Sequence, residues 1–230
     1  MTKRSRQETR AQTGGLDTVT EATYLALRRA ILDLELTPGA LLPIRLLRLR
    51  FPFGPTPLRE ALSRLSGEGL AQPATQRGFR VAPLGTDELN AIRTQSIELE
   101  PLALRRAMAA NAPQWRAQLQ AAHDAFAPLE GGAIDRQWEE RHGEFHLALL
   151  AGCGSASLLA RIVELNELIG RYRRAALAGM ARADLPRLPH APLLHAALGR
   201  DAGQAEALLR EHLREATGRI TALFKAAMPG

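Results

Sequence analysis

Two groups of residues in this 230-residue chain have the types and spacing to do chemistry. The first is histidine. His142 and His146 stand one helical turn apart and share a stripe with Trp138, Phe145 and Leu149, which the periodicity turns inward. His212 lies in a second apolar stripe with Ala205, Leu208, Leu209 and Ala216, and His190 opens the helix before it. Two inward imidazoles at i and i+4 can hold one divalent ion, and rings from other helices can complete its shell, as helical bundles commonly arrange. Taken singly, each ring reads first as a hydrogen-bonded core histidine. Taken together, they favour a metal. His195 turns about 140° away from His190 on a helix and stays in reserve, and His123 has no assigned role.

The second group is arginine. A helix starting with Thr56 as N-cap and Pro57 at its first position, and running to about Gly67, buries Leu58, Ala61, Leu62 and Leu65 on one face. Arg59, Ser63 and Ser66 form a separate polar stripe, while Glu60 and Arg64 stand four apart in the order that stabilises a helix. A short helix with such a stripe, entered through a tight turn, suits a DNA major groove. An ordinary amphipathic helix has the same wheel. Just upstream, the stretch Pro43 to Phe51 carries Arg45, Arg48 and Arg50.

The elements that must position these groups follow from periodicity and breakers. Residues 1–15 are basic and polar and read as a flexible tail, not a signal peptide. Val19 to Leu36 is helical, ended by Thr37-Pro38-Gly39. Leu70 to Pro83 suits a two-stranded β-wing around Gln76-Arg77-Gly78. From Thr86, which can cap with Asp87 and Glu88 behind it, the pattern is wholly helical, near 86–110, 114–128, 134–152, 155–180, 191–200 and 202–226. Asp201 with Gln204 resembles a capping box. The expectation is a mainly α chain: a winged helix-turn-helix over 16–84 with a small β-wing, then an all-α antiparallel bundle over 85–230.

Composition narrows the class. With 46% hydrophobic residues the chain can bury a sizeable core. No apolar run reaches transmembrane length. One cysteine, Cys153, excludes an internal disulfide framework and multi-cysteine zinc sites. The formal charge is +6, and Lys3 and Lys225 are the only lysines, so the cations are guanidinium forks suited to phosphate. A cytoplasmic protein is expected.

The run PLREALSRLSGEGL, preceded by LTPGALL and followed by QRGFRVAPL, resembles the winged-helix domain of the GntR family over Tyr24 to Leu84. The resemblance implies DNA contacts from Arg45 and Arg59, a phosphate contact from Thr56, and a minor-groove approach by Gly78 beside Arg77. Arg48 and Ser63 join that DNA-facing set. Pro55 stands where many relatives carry a DNA-contacting Arg, which bears on the half-site read.

The segments IELEPLALRRAM, WEERHGEFHLALLAGCGS and HAPLLHAALGRDAGQAEALLREHL resemble the FCD ligand-binding domain of FadR-like GntR regulators. Members often hold a divalent metal through an Asp and three His and bind a small carboxylate there. Here the Asp position is His142 and the three His are His146, His190 and His212, a four-imidazole set for zinc, with nickel as the alternative. Ser96 occupies the place of an effector-contacting Arg. Arg93, nearly a turn earlier, could substitute, and Asn166 and Arg171 are further candidates to meet a carboxylate. The implied protein is a homodimeric repressor reading operator DNA and answering a small organic acid. The rival reading is a metal-dependent hydrolase using the same histidines. Against it, Glu144 follows His142 by two residues, not the one of H-E-x-x-H, and so turns away from the metal.

Overall fold

The computed structural model describes residues 3–74, 78–178 and 188–227, which divide into two compact units, Met1–Leu84 and Gly85–Gly230. The first unit holds α1 (Lys3–Leu32), β1 (Leu41–Leu42), α2 (Ile44–Arg50), α3 (Pro55–Gly67), β2 (Ala71–Ala74) and β3 (Gly78–Val81). Its core is Leu27 and Ile31 of α1, Leu47 of α2, and Leu58, Leu62 and Leu65 of α3.

The helices of the first unit differ locally from the sequence reading at four places. The backbone of residues 3–15 is helical and continuous with α1. At its other end α1 stops at Leu32, because Leu34 takes φ 60° and the Leu36 N–H closes on the Ala30 carbonyl at 3.0 Å, a helix-ending pattern. In α3 the N-cap is Gly54, not Thr56, with Pro55 first. Proline at that point loses only an N–H that the helix could not use. The expected Glu60–Arg64 pair is replaced by tertiary partners: Arg64 donates to Glu21 at 2.5 Å and lies 3.5 Å over the Tyr24 ring, while Glu60 accepts from Thr20 at 3.0 Å.

The wing is three-stranded, not two. Its order is β1-β3-β2, all antiparallel, with Leu41 opposite Arg80, Leu42 opposite Phe79, and Ala74 opposite Gly78. Two residues of β1 were too short a run to show alternation. The turn carrying Gln76 and Arg77 lies outside the described residues.

The second unit is helical throughout: α4 (Thr86–Ala110), α5 (Pro113–Phe126), α6 (Arg136–Leu150), α7 (Ala156–Leu177), α8 (Ala191–Leu198) and α9 (Ala202–Ala227). Leu104, Trp115, Phe126, Phe145, Ile162 and Leu209 form the centre of its core. Gly85, not Thr86, is the N-cap of α4. Tyr172 of α7 serves that end: its hydroxyl accepts from the Gly85 N–H at 3.1 Å and donates to Glu88 at 2.5 Å. Asp135 and Ser155 cap α6 and α7, accepting from Trp138 and Leu158 backbone N–H groups.

Pro101 sits inside α4. A proline there leaves the Ile97 carbonyl without its helical donor. Arg210 of α9 fills the gap, donating to that carbonyl at 2.7 Å. Glu206, one turn earlier on α9, is held by Arg105 of α4 at 2.6 Å, so α4 and α9 are joined at two levels. Among the described residues no helix is long and apolar enough to cross a membrane.

Candidate metal centre and nucleic-acid interface

His142 and His146 project from α6, His190 stands at the entrance of α8, and His212 comes from α9. Each offers a ring nitrogen, and these atoms lie within 4.8 Å of one another. Nitrogens about 2.0–2.1 Å from a zinc ion stand roughly 3.4 Å apart when tetrahedral, so small side-chain rotations would close the set on an ion. His146, His190 and His212 are buried, and His142 is partly so.

Glu130 orients His190. Its Oε1 accepts from the ring Nδ1 at 2.7 Å and from the backbone N–H at 2.8 Å. With Nδ1 protonated, Nε2 is the free donor atom, and it is buried without a hydrogen-bond partner among the described residues, as is Nε2 of His146. Buried nitrogens without partners cost free energy, and an ion supplies the partner. Burial is the first cause that pushes all four imidazoles toward the neutral form; repulsion from other rings of the set adds to it at His142, His146 and His212, and repulsion from His123 at His190. His142 and His146 fall well below the usual histidine range, with Arg173 also pressing on both; His190 falls to about 4 and His212 to about 3. Neutral imidazole is the form that binds metal. The donor set fits a divalent ion.

A cavity of about 100 Å³ opens beside these rings, lined by His142, His190 and His212 together with Trp138, Arg173 and Arg219 among others. Arg173 donates to Glu139 at 3.2 Å and lies 5.4 Å from the Trp138 ring. Glu139 also takes Arg174. Arg219 pairs with Glu215 through Nη2, while its Nη1 is buried without a partner among the described residues.

None of Arg93, Ser96, Asn166 and Arg171 is among the residues lining this cavity. Ser96 is buried on α4 with its hydroxyl unpartnered among the described residues, one turn from Glu100. Asn166 of α7 faces Glu100, and Arg171 is wholly buried with Glu88 and Tyr172 as its electrostatic neighbours. His195 is exposed, and His123 packs edge-on to Phe145 with ring centroids 5.7 Å apart. Glu130, Arg173 and Arg219 escaped the sequence reading. Of these only Arg219 left a signal, seven residues from His212 and so on nearly the same side of α9.

In the first unit, Arg45, Arg48, Thr56, Arg59, Ser63 and Gly78 are all exposed. Arg50 and Arg64 are paired with Glu35 and Glu21. Arg45, Arg48 and Arg59 make no ion pair among the described residues, so their guanidinium groups face solvent uncommitted. Gly78 has φ +94°, a conformation that favours glycine, with open space where a Cβ would stand. Arg77 lies outside the described residues.

Two families match the chain. The FCD domain matches residues 96–215, and the family described as bacterial regulatory proteins, gntR family, matches residues 19–81. The chain belongs to the GntR family. It is 33% identical over 198 residues to the HTH-type transcriptional repressor GlaR of Escherichia coli K12, covering 83% of this chain and 90% of that one. It is 32% identical over 199 residues to the HTH-type transcriptional regulator BphR of Paraburkholderia xenovorans, covering 84% of this chain and 81% of that one. In fold it is similar to E. coli McbR/YncC, with a TM-score of 0.73 over 90% of this chain and 98% of the other, at 24% identity.

This GntR-family chain is therefore a transcriptional regulator with an N-terminal DNA-binding unit and a C-terminal FCD domain. The hydrolase reading of the histidines is set aside, since the relatives are transcriptional regulators. Glu144, its would-be base, is exposed and paired with Arg141 at 2.6 Å.

Proposed function

We propose that this regulator is a repressor whose operator affinity is set by a small carboxylate bound at a metal ion held by His142, His146, His190 and His212. The observation that carries the reading is the convergence of four ring nitrogens from three separate segments within 4.8 Å, beside a cavity. Four neutral nitrogen donors and no carboxylate suit zinc first and nickel second, and such a site keeps the ion's full positive charge for an anionic ligand. On the DNA side, Arg59 and Ser63 of α3 would enter the major groove, with Arg45, Arg48 and Thr56 near phosphates and the wing at Gly78 near the minor groove. Arg77 belongs to that wing set by sequence. A homodimer working in the cytoplasm would present two such helices to a near-palindromic operator.

The relatives' description as repressors supports the sign of regulation. An effector shifts operator affinity by no more than its own differential affinity for the two states. Gel shifts on the DNA upstream of the protein's own reading frame test the division of labour. Arg59→Ala should weaken operator binding by roughly tenfold or more, the loss of one bidentate base contact. His146→Ala should leave operator affinity in place and abolish the response to an organic acid. The reverse pattern would overturn the proposal.

A further inference from the structure

The cavity's lining says more about the effector than that it is an acid. We infer that the effector is a compact monocarboxylate with an apolar body, aromatic or short-chain, its carboxylate set between the histidine-held ion and Arg219. The inference rests on the carboxylate reading above.

Size comes first. The cavity's volume of about 100 Å³ is on the scale of a small acid and could not enclose a long-chain one. Charge comes next. The lining carries anion-seeking groups: His142, His190 and His212, and Arg219 farther along α9. Arg219 is seven residues past His212 on α9, about 10 Å along the axis, and helical side chains lean toward the N-terminus, which carries its guanidinium back toward the histidines. Its Nη2 is taken by Glu215, whereas Nη1 is buried with no partner among the described residues, a donor in want of an acceptor. Arg173, a second cation among the described lining residues, is already engaged by Glu139.

The remainder of the lining decides the body of the ligand. Ile134, Leu177, Leu188, Ile220 and Leu223 offer neither donor nor charge. A second carboxylate set against these five side chains would be desolvated, with none of them to receive it. A phenyl ring or short alkyl chain would be favoured there.

Calorimetric titration of the full-length, zinc-loaded protein separates the possibilities. Benzoate, phenylacetate and hexanoate are the apolar monocarboxylate probes; succinate and malate carry a second carboxylate; benzamide lacks the charge. Benzoate or phenylacetate should bind at least tenfold more tightly than succinate, malate or benzamide. Arg219→Gln should weaken that binding by roughly tenfold or more, as for a lost charge-assisted hydrogen bond, with zinc content unchanged. Leu223→Asn should narrow the gap between phenylacetate and succinate. Tighter binding of succinate or malate would overturn this inference and leave the carboxylate reading intact. Unchanged benzoate affinity in Arg219→Gln would remove Arg219 from the site. Retained zinc with no acid bound would overturn both.

Discussion

Glu130 accepts from the ring Nδ1 and the backbone N–H of His190, and by doing so selects Nε2 as the nitrogen offered to an ion. Such outer partners commonly change metal affinity by 10–100-fold. Glu130→Ala should therefore weaken zinc binding by about that factor in competition with a chelating dye, with Glu130→Gln recovering part of it. Unchanged affinity would make Glu130 a bystander.

Glu100 poses a different question at the same scale. It is fully buried on α4, and the residue a turn earlier is the buried Ser96. Burial pushes its carboxyl up to about 8, with Asn166 opposing the shift. Between the ordinary value of 4.5 and about 8 the folded chain holds a proton that the unfolded chain has released. The resulting stability is complete below the lower value and is lost as pH rises through the window. Glu100→Gln should stabilise the protein by a few kcal/mol at pH 8.5 and by much less at pH 4.5, read from urea denaturation at both. Equal stabilities at pH 8.5 would contradict a carboxyl kept neutral by burial.

Elements are joined where one of them breaks a rule. Pro101 strips a donor from the Ile97 carbonyl in α4, and Arg210 of α9 replaces it, so an internal fault in one helix becomes a bond between two. The short turn Ala151–Cys153 after α6 is placed by a different constraint. A Cβ at Gly152 would stand 2.9 Å from the Trp115 ring and 3.1 Å from Ala107. Trp115 cannot yield freely, because its Nε1 donates to the Ala148 carbonyl at 3.0 Å. Gly152→Ala should cost about 1–3 kcal/mol, the usual penalty of overpacking, seen as a fall of several degrees in Tm. A variant as stable as the parent would show that α4 and α5 can spread there.

For the whole molecule, the ion should act as a staple for the FCD domain. The histidines that would hold it come from α6, α9 and the entrance to α8, and a ligand that binds only the folded state stabilises by mass action, about 2.7 kcal/mol at a hundredfold excess over Kd. Chelation should lower the melting temperature by several degrees and zinc should restore it. A melt indifferent to chelator would remove the metal from the account. The same chelated protein should still shift operator DNA, because the uncommitted arginines belong to the first unit.

Helix positions, the inward histidine stripe of α6 and the exposed stripe of α3 were legible in the chain, because each is a periodicity of 3.6 residues written within a single element. The FCD and winged-helix likeness was legible for a related reason, as runs such as PLREALSRLSGEGL are local. What joins elements was not. The third strand of two residues, the move of Arg64 from Glu60 to Glu21, the Tyr172 clasp on Gly85 and the approach of Glu130, Arg173 and Arg219 to the histidines link residues up to 87 positions apart. Contacts at that range leave no spacing to read, since they depend on how helices pack rather than on the order of residues within one. The types of side chain that could bind metal and DNA were set by sequence; which of them share a cavity was settled by packing.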